Sequence, residues 1–225
     1  MGSEMCIRDS GFSSTPEDYY LTIKKLHNSG YVVMSYDARA HGRSNGSLDF
    51  SMLPIDAGRA LDILMSRKDV DPTKICVVGH SMGAMTATLL ASNRNVSCVV
   101  LWAPPQMKII DEIPFARGML LVTTWVDFKY KIGKVKFKTS DFKKTLGGAG
   151  KLNIITAAKK ISSPVLIIEG ENDYTVKPYV AEEIYRVLKC DKEMIYIDGA
   201  DHGFRGKREL VANITSEFIA KHTVR

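Results

Sequence analysis

The sequence predicts an α/β chain, a mostly parallel sheet with helices on both faces. Three observations carry this. Runs such as Val96-Ser97-Cys98-Val99-Val100-Leu101-Trp102 and Val165-Leu166-Ile167-Ile168 are near-continuously apolar rather than alternating, as expected of strands buried on both faces. Such runs alternate with stretches of helical period. And one of them, Ile75-Cys76-Val77-Val78, leads into Gly79-His80-Ser81-Met82-Gly83 and then into the small, helix-favouring Ala84, Met85, Ala87, Leu89, Leu90 and Ala91.

The elements follow in order. Thr15 is placed to cap a helix and Pro16 to occupy its first position. Tyr19, Ile23 and Leu26 then share a face, and Gly30 stops the helix. Residues 31–36 form a β-branched, aromatic strand. A turn-rich loop runs from Asp37 to Gly46. A second helix spans about Pro54–Arg67, with Ala57, Ala60, Leu61 and Leu64 on one side, and Val70-Asp71-Pro72 breaks it. The Gly-x-Ser-x-Gly strand and helix come next, then the strand 96–102. The rhythm is lost over 105–150 and returns with a helix near 152–160. A strand at 164–170, a helix at 179–189, a strand at 194–197 and a terminal helix carrying Val211, Ile214 and Phe218 complete the chain.

Composition narrows the function classes. With 225 residues and 45% hydrophobic content, one sizeable core and one domain are expected. No apolar run reaches the roughly 18 residues of a transmembrane helix. A net charge of +6 permits a mild preference for anions. The lysines cluster in one short stretch without a recognised motif, so nucleic acid is not an expected partner. The four cysteines, Cys6, Cys76, Cys98 and Cys190, lack metal spacing. Cys76 and Cys98 sit in strand-like runs and read as buried thiols, which favours a reducing, cytoplasmic compartment.

The first ten residues stand apart. Met5-Cys6-Ile7-Arg8-Asp9-Ser10 lacks periodicity and matches the translation of a transposon-end sequencing adapter. Residues 1–10 are therefore read as an artefact, with the native N-terminal strands truncated. Different codons in the coding DNA at residues 5–10 would sink that reading.

The chemistry is read from strand ends, because open parallel sheets bind ligands beyond their carboxyl edges. Strand, tight turn and helix around Ser81 form a nucleophile-elbow pattern. The alternative is a Gly-rich turn with an idle serine. Gly170-Glu171-Asn172-Asp173 follows one strand and Gly199-Ala200-Asp201-His202-Gly203-Phe204 another. Ser81, Asp173 and His202 thus occur in the chain order known for this architecture. A serine is a poor nucleophile without an adjacent base, and the base needs an acid to hold its tautomer. Glu171, Asp198 and Asp201 compete with Asp173. Asp201 adjoins His202, and neighbours in extended chain point apart. His27 and His222 fall on helices, His41 in the Asp37 loop, and His80 inside the elbow, where its ring packs or lines the substrate pocket.

From Gly11 onward the chain resembles the α/β-hydrolases. Gly11-Phe12 resembles the end of that family's His-Gly-Phe oxyanion motif, without the His. Asp37-Ala38-Arg39-Ala40-His41-Gly42-Arg43-Ser44 resembles its loop after the fourth strand, with Ala40 where the family usually has Gly. Small bacterial carboxylesterases of the cinnamoyl/feruloyl esterase type are most similar, followed by monoacylglycerol lipases and serine aminopeptidases. The resemblance implies an α/β-hydrolase fold whose core is residues 11–104 and 151–225, with a small cap or lid at 105–150. It also implies an oxyanion hole made by the N–H groups of Met82 and Phe12. The family's third strand lies at the sheet centre, so residues 4–8 must pair there as a makeshift strand or the chain folds poorly.

In the cap stretch, Phe115, Met119, Leu120, Leu121, Trp125, Phe128 and Tyr130 are candidates to line an apolar pocket, or simply to pack the cap. With His80, Trp125 and Phe128 are the substrate-binding candidates. Lysines alternate with apolar residues over 129–138, which reads as a hairpin with a lysine face, either solvated or recruiting anions. The expected activity is hydrolysis of a small-molecule carboxylic ester through an acyl-enzyme, with no metal or organic cofactor and no membrane insertion. An aminopeptidase or acyltransferase with the same triad, or a silent hydrolase-fold binding protein, are the alternatives.

Overall fold

The structure, a computed structural model, describes residues 3–9, 19–106, 129–132, 135–138 and 152–223, with side chains in 19–106 and 152–223. The strands are β1 Ser3–Asp9, β2 Val32–Tyr36, β3 Val70–His80, β4 Cys98–Trp102, β5 Lys129–Ile132, β6 Val135–Lys138, β7 Val165–Gly170 and β8 Lys192–Ile197. The α-helices are α1 Tyr20–Asn28, α2 Leu53–Met65, α3 Met82–Ala91, α4 Ile154–Ala158, α5 Pro178–Val187 and α6 Arg208–Thr223.

Six strands form one parallel sheet in the order β2-β1-β3-β4-β7-β8. The strand expected near residues 4–8 is β1, which pairs with β2 on one side and β3 on the other. The chain moves outward from β1 to β2, then returns to β3 and continues the other way. The crevice at that reversal, beyond the strands' carboxyl ends, is where open α/β sheets bind ligands. Ser81 directly follows β3 there.

Each face of the sheet carries its own core. Val77, Val99, Leu101, Val165 and Ile167 point to one face, packed with Leu53, Leu61 and Leu64 of α2, Met85 and Leu90 of α3, Ile154 of α4 and Ile184 of α5. Cys76, Val78, Val100, Leu166 and Ile168 point to the other, packed with Leu26 of α1 and Val211, Phe218 and Ile219 of α6. Helix α3 is buried almost all round, as its uniformly small and apolar composition requires. Tyr31 Oη and Thr223 Oγ1 lie 3.1 Å apart, tying the start of β2 to the end of α6.

Several boundaries differ from expectation. Strand β3 begins at Val70 rather than Ile75, because Val70 already pairs with Ser3 across an irregular register around Asp71–Lys74. Helix α1 begins at Tyr20, while Thr15 and Pro16 lie outside the described residues. As expected, the lysine-rich stretch forms two short strands, the antiparallel pair β5–β6, with Lys129 opposite Lys138 and Lys131 opposite Lys136. Cys76 and Cys98 are not free thiols. Register sets them side by side on β3 and β4, with Cα atoms 4.8 Å apart, and they form a disulfide. Cysteine usage therefore no longer points to a reducing compartment.

The Asp37 loop is a self-contained turn. The Arg43 N–H donates to the Asp37 carboxylate at 2.9 Å, and Ser44 Oγ donates to the Asp37 carbonyl at 2.7 Å. Arg39 makes a two-pronged ion pair with Asp56 of α2 at 2.6 and 2.9 Å. Ala40 is buried in a left-handed conformation with φ of 62°, a conformation that suits Gly better than an L-residue.

Candidate active site

The elbow is a strained turn. Ser81 has φ 53° and ψ −118°, and its N–H donates to the Trp102 carbonyl on β4 at 2.8 Å. Such a conformation costs an L-residue roughly 1–3 kcal/mol and persists where surrounding structure enforces it. Gly79 is needed because any Cβ there would run into the Gly83 backbone. Met82 is the first residue of α3, so its N–H has no intrahelical acceptor and sits at the positive end of the helix.

The candidate acid Asp173 and candidate base His202 occupy the turns after β7 and β8. Asp173 is buried at 2% exposure. One carboxylate oxygen accepts the N–H groups of Thr175 and Val176, both at 2.8 Å. The other accepts His202 Nδ1–H at 2.6 Å. With Nδ1 donating, His202 Nε2 is left to accept from Ser81 Oγ–H, 3.0 Å away. The two turns are stitched together by Asn172 N–H to the Ala200 carbonyl at 2.9 Å. A Cβ on Gly170 would meet that same carbonyl at 2.5 Å.

The competing carboxyls are placed elsewhere. Glu171 and Asp198 are exposed. Asp201 accepts the N–H groups of Gly203 and Arg205 at 3.1 and 3.0 Å and so shapes the turn that carries His202.

His80 has a role that the sequence did not reveal. Its Nε2 lies 2.7 Å from the His202 carbonyl, and its Nδ1 lies 2.7 Å from Tyr19 Oη. A carbonyl only accepts, so Nε2 carries the proton; in the neutral ring Nδ1 accepts from Tyr19. Both ring nitrogens of His80, a substrate-binding candidate from the sequence, are thus committed to protein partners, and the ring packs near His202, Trp102 and Phe204. Two further left-handed residues, Ala103 at φ 44° and Phe204 at φ 51°, flank the site. Neither residue type signals such a conformation in the sequence. Trp125, Phe128, Gly11 and Phe12 lie outside the described residues.

With this geometry in place, comparison with known proteins is informative. The sequence profile of the Alpha/beta hydrolase family matches residues 10–214. The chain belongs to that family. Among curated relatives of this α/β hydrolase, protein ABHD12B of Homo sapiens is 29% identical over 213 residues, 88% of this chain and 55% of that protein. Esterase EstD of Thermotoga maritima is 27% identical over 174 residues, 67% of this chain and 40% of that one. The chain spans about half the length of the curated relatives it matches. Among solved structures, Est1E of Butyrivibrio proteoclasticus with bound ferulic acid superposes with TM-score 0.80 at 19% identity, covering 100% of this chain and 91% of that one. A monoacylglycerol lipase of Paleococcus ferrophilus gives TM-score 0.74 at 18% identity, with 99% and 97% coverage. These likenesses establish the fold of this α/β hydrolase, a mostly parallel sheet flanked by helices.

Proposed function

We propose that this chain is a serine hydrolase that cleaves carboxylic esters through an acyl-enzyme. The observation that carries the reading is the continuous Ser81–His202–Asp173 hydrogen-bond chain, at 3.0 and 2.6 Å. Ser81 Oγ attacks the ester carbonyl while His202 Nε2 takes its proton. Asp173 holds the imidazole in that tautomer and stabilises the imidazolium. The carbonyl oxygen becomes negative in the tetrahedral intermediate and accepts the Met82 N–H, a contribution of about 3 kcal/mol per donor. Phe12 N–H is the second donor in this reading. His202 then protonates the leaving alcohol and, in the second half, deprotonates the attacking water.

The esterase and lipase relatives favour an ester over an amide, and the ferulic acid in the Est1E structure makes hydroxycinnamoyl esters the first acyl class to try. Trp125 and Phe128 are proposed to line the acyl pocket from a cap at residues 105–150. The test is burst kinetics with a p-nitrophenyl ester. The native chain is expected to release a stoichiometric burst of nitrophenol, and Ser81→Ala to show none. A burst retained in Ser81→Ala would overturn the assignment. A panel of short acyl, long acyl and hydroxycinnamoyl esters then ranks the acyl groups.

A further inference from the structure

Behind the acid of the proposed triad lies a second carboxyl. Glu169, the penultimate residue of β7, is completely buried. Its Oε1 accepts the Gly170 N–H at 3.0 Å, while its Oε2 receives no hydrogen bond. A buried carboxylate with one donor is poorly compensated. Asp173, four residues on, is far better served, with three donors on its two oxygens. A carboxylate offers about four acceptor positions, so Asp173 has one to spare. Of two neighbouring buried carboxyls, the one with fewer donors keeps a proton.

We propose that Glu169 is a positioning residue, a neutral acid whose Oε2–H fills the fourth acceptor position of Asp173 and so extends the Ser81–His202–Asp173 chain to a fourth member. This rests on the hydrolase reading above. The negative charge of the site then belongs to Asp173 alone, facing His202. The electrostatic surroundings agree. Burial, then the charge of Asp173, push the Glu169 carboxyl up to about 9. Among the described residues Tyr196, its register partner on β8, is a further titratable group beside it. Burial and a 2.7 Å hydrogen bond to Glu182 of α5 hold that phenol in its neutral form well past its usual range. Ionisation of Glu169 at alkaline pH would set a second negative charge beside Asp173 and weaken its hold on His202.

The pH dependence of stability follows. The unfolded chain gives up the Glu169 proton near the ordinary value of 4.5, while the folded chain holds it up to about 9. The contribution of Glu169 to stability is therefore complete below 4.5 and is lost progressively as pH rises towards about 9.

The experiment uses Glu169→Gln and Glu169→Leu in the native chain, with p-nitrophenyl acetate as probe. Glu169→Leu removes the donor and is expected to lower kcat about tenfold with KM nearly unchanged. Glu169→Gln keeps an N–H donor that cannot ionise; it is expected to recover most of that loss. Its activity should also persist about one pH unit beyond the alkaline decline of the native chain. The Tm advantage of Glu169→Gln over the native chain should grow steadily from acid to alkaline pH. A Tm difference that does not change with pH overturns the neutral acid. A growing difference with coincident alkaline limbs overturns the positioning role. If Ser81→Ala keeps its burst, the hydrolase reading fails instead, and Tm still reports the protonation of Glu169.

Discussion

The acid and the base of the proposed triad sit on turns after adjacent parallel strands, yet they are held in opposite ways. Asp173 is clamped by its own turn, through the N–H groups of Thr175 and Val176 two and three residues away. His202 is seated from a distance. Its carbonyl is bonded to His80, 122 residues earlier, and His80 is in turn braced by Tyr19. The acid is fully enclosed, whereas 20% of the His202 side chain is exposed. In the proposed mechanism the difference follows from task. The acid must keep one charge state in one place, which a local turn provides. The base must meet solvent and substrate, so its fixed point is the backbone, and the ring is steered by its two hydrogen bonds.

This contrast can be broken by substitution. The largest effect is expected at the clamped acid. Asp173→Asn leaves the turn in place but favours the wrong imidazole tautomer, and kcat should fall about 10⁴-fold; a fall below tenfold would detach Asp173 from the chemistry. Next is the distant seat of the base. His80→Phe keeps ring packing near Trp102 and Phe204 while removing both hydrogen bonds. Small misplacements of a catalytic group are costly, so kcat should drop about ten- to a hundredfold, and an unchanged kcat would mean that His202 is held by its own turn after all. Tyr19→Phe removes only the outer brace. It should cost about 1 kcal/mol of stability in denaturant titrations, with a smaller effect on kcat than His80→Phe. The smallest effect is a control away from both turns. Ala40→Gly relieves a left-handed alanine and should add about 1 kcal/mol, seen as a Tm rise of about 2–4 °C with kcat unchanged. A lower Tm would show that the Asp37 loop carries no strain at Ala40.

The same contrast explains what could be read without the structure. Features encoded over a few residues were legible: the elbow through Gly79, Ser81 and Gly83, the acid turn through Gly170 and Asp173, and the alternation of apolar strands with helices. Features that depend on pairing were not. The Cys76–Cys98 disulfide depends on the register of β3 against β4. The seat of His202 depends on α1 bringing Tyr19 to His80. The early start of β3 depends on pairing with β1. Glu169 did leave a signal, a lone carboxylate directly after the apolar run Val165–Ile168 and within the same strand, because charged residues are almost never fully buried without a reason. Ala103 and Phe204 left none, since their backbone conformations are imposed by neighbours rather than by residue type.

The topology of the sheet also sets an order of events. Ser81 follows the third strand of the chain, but its base arrives 121 residues later, after β8. Parallel strands pair only after long crossovers close, so their contacts form late. During synthesis the proposed nucleophile is therefore present long before its proposed base. The proposed triad is complete only when β8 joins the sheet edge; α6 then packs on the same face, where the Trp102 indole N–H donates to Thr215 at 3.1 Å. On the proposed mechanism a nascent or partly unfolded chain is expected to be chemically silent, so acylation of Ser81 would report that the far end of the fold is in place.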